Sequence, residues 1–110
     1  MTSSERRMLE KAYAAFNARD IDSALDVMHA VVIVDVPGHD GVREYWTRQW
    51  GVIDPHVEPM RFEADADGRT VDHVHQVVRD PSGNVVADEM VQHVYSIQDG
   101  LVKSMEIREP

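Results

Sequence analysis

The stretch VDHVHQVVRDPSGNVVADEMVQHVY, residues 71–95, decides the fold. Valines alternate with polar residues on both sides of Asp80-Pro81-Ser82-Gly83, a tetrad with strong turn chemistry. Proline suits the first turn position, and glycine supplies the positive φ of the bulge that follows. The stretch reads as a long β-hairpin. If Asp80 pairs with Asn84, Val71 faces His93, His73 faces Val91, His75 faces Glu89 and Val77 faces Ala87. Residues two apart share a strand face, so His73, His75, Glu89, Val91, His93 and Tyr95 are expected on one surface. The other would carry Val74, Gln76, Val78, Met90, Gln92, Val94 and Ser96, with Asp72 and Asp88 its only charges. A face so poor in charge is expected to be covered.

Outward from the hairpin, the period of two continues. Strands are predicted over about 57–66, 69–79, 84–97 and 101–108, with further turns at Asp67-Gly68 and Gln98-Asp99-Gly100. Upstream the period is helical. Leu9, Ala12, Tyr13 and Phe16 form one apolar stripe, with Ser3 or Ser4 placed to cap it. Asp20 is a cap for a second helix that buries Ile21, Ala24, Leu25 and Met28. Val31 to Val36 is β-branched almost throughout and reads as a strand ended by Pro37-Gly38. Asp40 is expected to cap a third helix with Val42, Tyr45, Trp46, Gln49 and Trp50 on its heavy side, closed by Gly51 and Pro55. Three helices followed by an antiparallel meander predict an α+β fold with the helices gathered on one sheet face.

Composition narrows the classes. The 110 residues suffice for one domain, expected over 1–110, and 43% apolar content allows a core. Eleven Lys and Arg against 20 Asp and Glu leave a charge of -9, which repels phosphate backbones and argues against nucleic-acid binding. The absence of cysteine excludes disulfides, thiol catalysis and thiolate metal sites. The opening MTSSERRMLEK has no apolar leader core, and the longest apolar run, Ala30 to Val34, is too short to span a bilayer. A soluble, cytoplasmic protein without a membrane partner is expected.

The order of elements resembles the nuclear transport factor 2-like superfamily, and within it the SnoaL-like proteins. The likeness is carried by Tyr13-Ala14-Ala15-Phe16-Asn17-Ala18-Arg19-Asp20, by Ala24-Leu25, and by Gly38-His39-Asp40-Gly41-Val42-Arg43-Glu44-Tyr45-Trp46. It closes with His93-Val94-Tyr95-Ser96-Ile97-Gln98-Asp99-Gly100-Leu101-Val102. The resemblance implies a curved, mostly antiparallel sheet wrapped with three helices into a cone-shaped half-barrel with an apolar pocket. It also implies a homodimer formed through the outer sheet face, where Val74, Met90 and Val94 would meet a partner subunit. These motifs specify shape more than chemistry.

The chemistries known on this fold do not transfer. Ketosteroid isomerases use a helix-one tyrosine, a carboxylate base at the end of the first strand and a protonated hairpin Asp. Those positions fall here on Ala12, Val36 and His93, with Asp35 expected to point to the opposite side of its strand. The acid–base pair of SnoaL-like polyketide cyclases falls on Met105 and Ile107. The Asp-Arg-Asp arrangement of epoxide hydrolases cannot be assembled on the inward positions.

His93 is the sharpest remaining candidate. An imidazole with a pKa near 6.5 serves as donor, acceptor, acid or base near neutrality. Its two readings are a buried neutral histidine held by a backbone or tyrosine partner, and a ligand-orienting or acid–base group. Tyr13 is the second catalytic candidate. Phe16, Val36, Trp46, His73, His75, Val91, Tyr95, Met105 and Ile107 are the expected ligand-binding residues. His73-x-His75 with Glu89 opposite raises a two-His, one-carboxylate face, but the same histidines can be merely hydrogen-bonded, and neither metal nor cofactor is expected. The expected ligand is a small hydrophobic carbonyl compound undergoing isomerisation, cyclisation or hydration. The alternatives are a non-catalytic hydrophobic ligand-binding protein and a dimeric interaction module.

Overall fold

The computed structural model describes residues 3–34 and 36–109. The elements run α1 (Ser3–Asn17), α2 (Ile21–Leu25), β1 (Met28–Val34), β2 (Val36–Pro37), α3 (Gly38–Trp50), β3 (Asp54–Ala64), β4 (Thr70–Arg79), β5 (Val85–Gln98) and β6 (Leu101–Arg108). Six strands form one sheet in the order β2-β1-β6-β5-β4-β3. Every pairing is antiparallel except β1 with β6, which run parallel. The sheet is curved and unclosed, with the helices on one face, as an α+β cone requires. Among the described residues no helix is long and apolar enough to cross a membrane. Asp35 lies outside the described residues.

Local chemistry sets several boundaries. The Asp20 carboxylate accepts from the Ser23 amide and hydroxyl at 3.3 and 2.7 Å and caps α2. That helix ends at Leu25, so Met28 opens β1 instead of continuing the helical stripe. Ser3 is already helical in α1. In α3 the capping position is held by Pro37 without a side-chain bond, and Asp40 sits inside the first turn, where its charge still suits the positive helix end.

The hairpin turn forms as its residues dictate: the Asp80 amide donates to the Asn84 carbonyl at 2.9 Å, and Gly83 takes φ 91. The register then departs from expectation. Arg79 pairs with Val85, but Val78 pairs with Ala87, leaving Val86 as an extra residue in β5. This bulge moves every later pairing by one, so Asp72 faces His93, Val74 faces Val91, and His73 faces Gln92. A one-residue slip turns one strand over relative to its partner. Val74 is therefore fully buried in the core with Val91 and Tyr95, rather than on the outer face. Val94 does lie on the opposite face but is 2% exposed within a single chain, so only Met90 of the three expected dimer residues is open there.

The helices bury Leu9, Tyr13, Ala24, Leu25, Val42 and Trp46 against this face. At the α1–α2 corner, Asn17 pairs with the Val57 backbone in both directions, at 2.7 and 2.9 Å. Arg19, at φ 63, sends its guanidinium to Asp54 and the Pro55 carbonyl, and lies over Phe16 and Trp50. These contacts anchor the start of β3 beside the helical wall.

Candidate functional site

A cavity of about 130 Å³ opens between α1, α3 and the covered face of the sheet. Its wall is largely apolar, including Phe16, Met28, Trp46, Val57, Met105 and Ile107. Phe16 and Trp46 meet edge to face at 5.1 Å, one side chain from each of two helices. Among the described residues the polar groups on the wall are Tyr13, His93, Tyr95, Gln49 and Gln76, and none is a charged side chain.

Tyr13 reaches from α1 to His93 and Tyr95, which share one face of β5. Tyr95 donates its hydroxyl to that of Tyr13 at 2.6 Å, and the Tyr13 hydroxyl lies 2.9 Å from His93 Nδ1. The Tyr13 and His93 rings are nearly parallel, 5.8 Å apart. His93 Nε2 is buried and has no hydrogen-bond partner. Burial lowers the His93 pKa to about 4, because an imidazolium would lose its hydration there. Burial also raises both tyrosine hydroxyls, Tyr13 with further help from Tyr95 and Asp72. At neutral pH this cluster is an uncharged chain of donors and acceptors.

The register slip adds Asp72, which the pairing expected from the turn had placed on the other face. Asp72 is the cross-strand partner of His93 and is completely buried. Burial raises its pKa to about 7, opposed by the neighbouring Tyr13 hydroxyl. The two groups are close enough to influence each other, yet neither Asp72 oxygen makes a hydrogen bond of ordinary geometry in the observed arrangement. No feature of β4 marked this residue in advance. The one available signal was Val85-Val86-Ala87, where alternation fails just after the turn.

The other expected residues divide. Phe16, Trp46, Tyr95, Met105 and Ile107 line the cavity with Tyr13 and His93. Val91 is in the core but not on the cavity wall. Val36 lies at the sheet edge in β2 and faces a separate groove with Tyr45 and Arg48 of α3. His73 and His75 are on the opposite face, turned there by the bulge. His73 bonds Glu63 at 2.5 Å and Arg61 at 3.1 Å, and His75 bonds Asp88 at 2.7 Å. Glu89 pairs with Gln76 and not with His75. Among the described residues no group of three or more His, Asp or Glu is arranged to hold a metal ion.

Comparison with solved structures places this geometry among nuclear transport factor 2-like folds. A nuclear transport factor 2-like protein of unknown function from Burkholderia pseudomallei matches with a TM-score of 0.83 and 20% identity, over 99% of this chain and 92% of that one. TerC, co-crystallised with polyporic acid, matches with a TM-score of 0.83 and 24% identity, over 98% of this chain and 92% of that one. RV0760c from Mycobacterium tuberculosis, in complex with estradiol-17beta-hemisuccinate, matches with a TM-score of 0.82 and 11% identity, over 96% and 93% of the two chains. No family model matches the chain, and no curated protein does. The chain thus has the nuclear transport factor 2-like cone fold.

Proposed function

We propose that this protein binds a compact, largely apolar carbonyl compound in its cavity and moves a proton on it without a cofactor, as an isomerase, cyclase or hydratase. His93 would be the acid or base and Tyr13 its hydrogen-bond anchor. One observation carries the reading: His93 stands on the wall of an otherwise apolar cavity with Nδ1 engaged and Nε2 unpartnered. A buried polar atom left without a partner is costly, and a ligand oxygen or acidic C–H would supply one. The volume of about 130 Å³ is close to the roughly 150 Å³ that holds a benzene ring. A single ring suits it. Among the described residues no charged side chain lines the wall, which favours a neutral ligand over a carboxylate. That two structures of this fold are named with organic ligands supports an organic occupant here.

The test is hydrogen–deuterium exchange. A panel of single-ring ketones and enones is incubated with the protein in deuterated buffer, and label at carbons next to the carbonyl is followed by mass spectrometry. His93→Ala is expected to slow that exchange roughly 10²-fold, the scale of acid–base catalysis. Failure of every compound to quench Trp46 fluorescence overturns the small-molecule reading. Binding without exchange supports a second reading, a non-catalytic ligand-binding protein. That reading draws on apolar Met105 and Ile107, which occupy the cavity wall where the cyclase-like resemblance calls for acid–base groups.

The working form is proposed to be a cytoplasmic homodimer joined through the sheet face away from the helices, supported by exposed Ile33 and Met90 on that face. A solution mass near 12.5 kDa at micromolar concentration overturns the dimer.

A further inference from the structure

We propose that Asp72 takes up and returns, through the Tyr13 hydroxyl, the proton that His93 exchanges with the ligand, so that His93 is never left as a buried cation. This rests on the reading of the cavity as a proton-transfer site. Asp72 is fully buried and lies directly across the ladder from His93. The groups facing it are Tyr13 from α1, His93 and Tyr95 from β5, and Phe62, its partner on β3, over which Arg6 lies. Its chain neighbour His73 is turned to the other face and held by Glu63. Among the described residues no ion pair to Asp72 is formed. A carboxyl buried without a cation is expensive to keep, and packing alone gives no reason for one at this position.

The Tyr13 oxygen has the capacity to serve both sides. With Asp72 ionised, Tyr13 donates to the carboxylate and accepts from His93 Nδ1–H and from Tyr95, leaving a lone pair on Nε2. With Asp72 protonated, Asp72 and Tyr95 donate to Tyr13, Tyr13 donates to Nδ1, and Nε2 carries the hydrogen. The observed bonds, Tyr95 to Tyr13 and Tyr13 to His93, are common to both patterns, which differ only in where the hydrogens sit.

Proton transfer converts one pattern into the other. The C–H bond beside the ligand carbonyl breaks, its proton bonds to Nε2, and its electron pair remains on the ligand as an enolate. Nδ1 passes its proton to the Tyr13 oxygen as Tyr13 passes its own to Asp72. One negative charge has moved from Asp72 to the ligand, and His93 is neutral before and after. Reversal returns the proton to the same carbon or to another one. Burial disfavours the imidazolium and holds Asp72 near 7, which fits a proton resting on the acid and not on the ring.

Nitrogen-15 NMR of the histidine side chains in the ligand-free protein tests this, with His93 assigned by His93→Gln. The expected result is mainly the Nε2–H tautomer at pH 5 and the Nδ1–H tautomer at pH 9, crossing near 7. Tyr13→Phe should abolish the crossing, and Asp72→Asn should fix Nε2–H at every pH. One unchanging tautomer in the native sequence from pH 5 to 9 overturns the proposal, and this reading stands even if Asp72→Asn does not fold. Deuterium exchange with a fixed tautomer overturns the relay alone. A switching tautomer in a protein that binds none of the ketones overturns the proposed function alone and leaves the Asp72–Tyr13–His93 coupling intact.

Discussion

The two faces of the β4–β5 ribbon carry the same residue types to opposite ends. On the open face, His73 meets Glu63 and Arg61, and His75 meets Asp88, all in contact with water. On the covered face, His93 and Asp72 lie across one ladder position with two tyrosine hydroxyls between helix and sheet. Solvent screens the first set, so its pairings contribute little. Burial removes that screening from the second and moves both ionisations by several powers of ten. An imidazole beside a carboxylate is therefore not a site by itself. Whether the pair is dry decides what it can do.

The strongest way to break this contrast is to put a fixed charge on the covered face. Val74→Asp is expected to cost about 4 kcal/mol or prevent folding, because Val74 is fully enclosed and has no cation to meet. Urea denaturation followed by circular dichroism reads this directly.

Next in size is the pH profile of the buried acid. The Asp72 pKa is raised on folding from 3.8 to about 7, so the native state holds its proton more tightly than the unfolded chain. Stability from this group is accordingly lost as pH rises through that window, by up to about 4 kcal/mol. Asp72→Asn should be more stable than the native sequence at pH 8, with the gain fading toward pH 4. His93 works the other way. Its pKa falls from 6.5 to about 4, so the native state refuses a proton that the unfolded chain accepts, and stability falls with pH by up to about 3 kcal/mol. The two slopes nearly cancel between pH 4 and 6.5 in the native sequence. Each single variant should uncover the other's slope, and a flat profile in both would dissolve the contrast between the faces. The smallest effect belongs to the open face, where His75→Asn is expected to change stability by no more than about 0.5 kcal/mol at pH 7.

Legibility followed the range of the forces involved. The helical stripes at Leu9–Phe16 and Val42–Trp50, the cap at Asp20 and the turn at Asp80–Asn84 are local matters of side-chain chemistry, and their residues announced them. His93, Tyr95 and Tyr13 were legible as a cluster because His93 and Tyr95 are two apart on β5, beyond the bulge, and α1 has a single apolar stripe. Asp72 was not. Its strand reads equally well with either face inward, since Val71 and Val77 alternate with Val74 and Val78 on opposite sides. Val36 was misplaced for a related reason: a two-residue strand at the sheet edge carries no pattern that fixes which groove it borders.

The amino-acid sequence alone determined the α+β order, the helix that covers the sheet, and an imidazole aimed at its apolar side. Only the tertiary structure decided which of two histidine–acid pairings would be dry. A single extra residue at Val86, exposed like Val85 before it, shifts the ladder by one. Because strand side chains repeat every two residues, that shift exchanged His73 and His75 for Asp72 and Val74 on the covered face. Packing made the choice: Val74 and Val91 fill the core there, and two ring nitrogens with water-seeking partners would not.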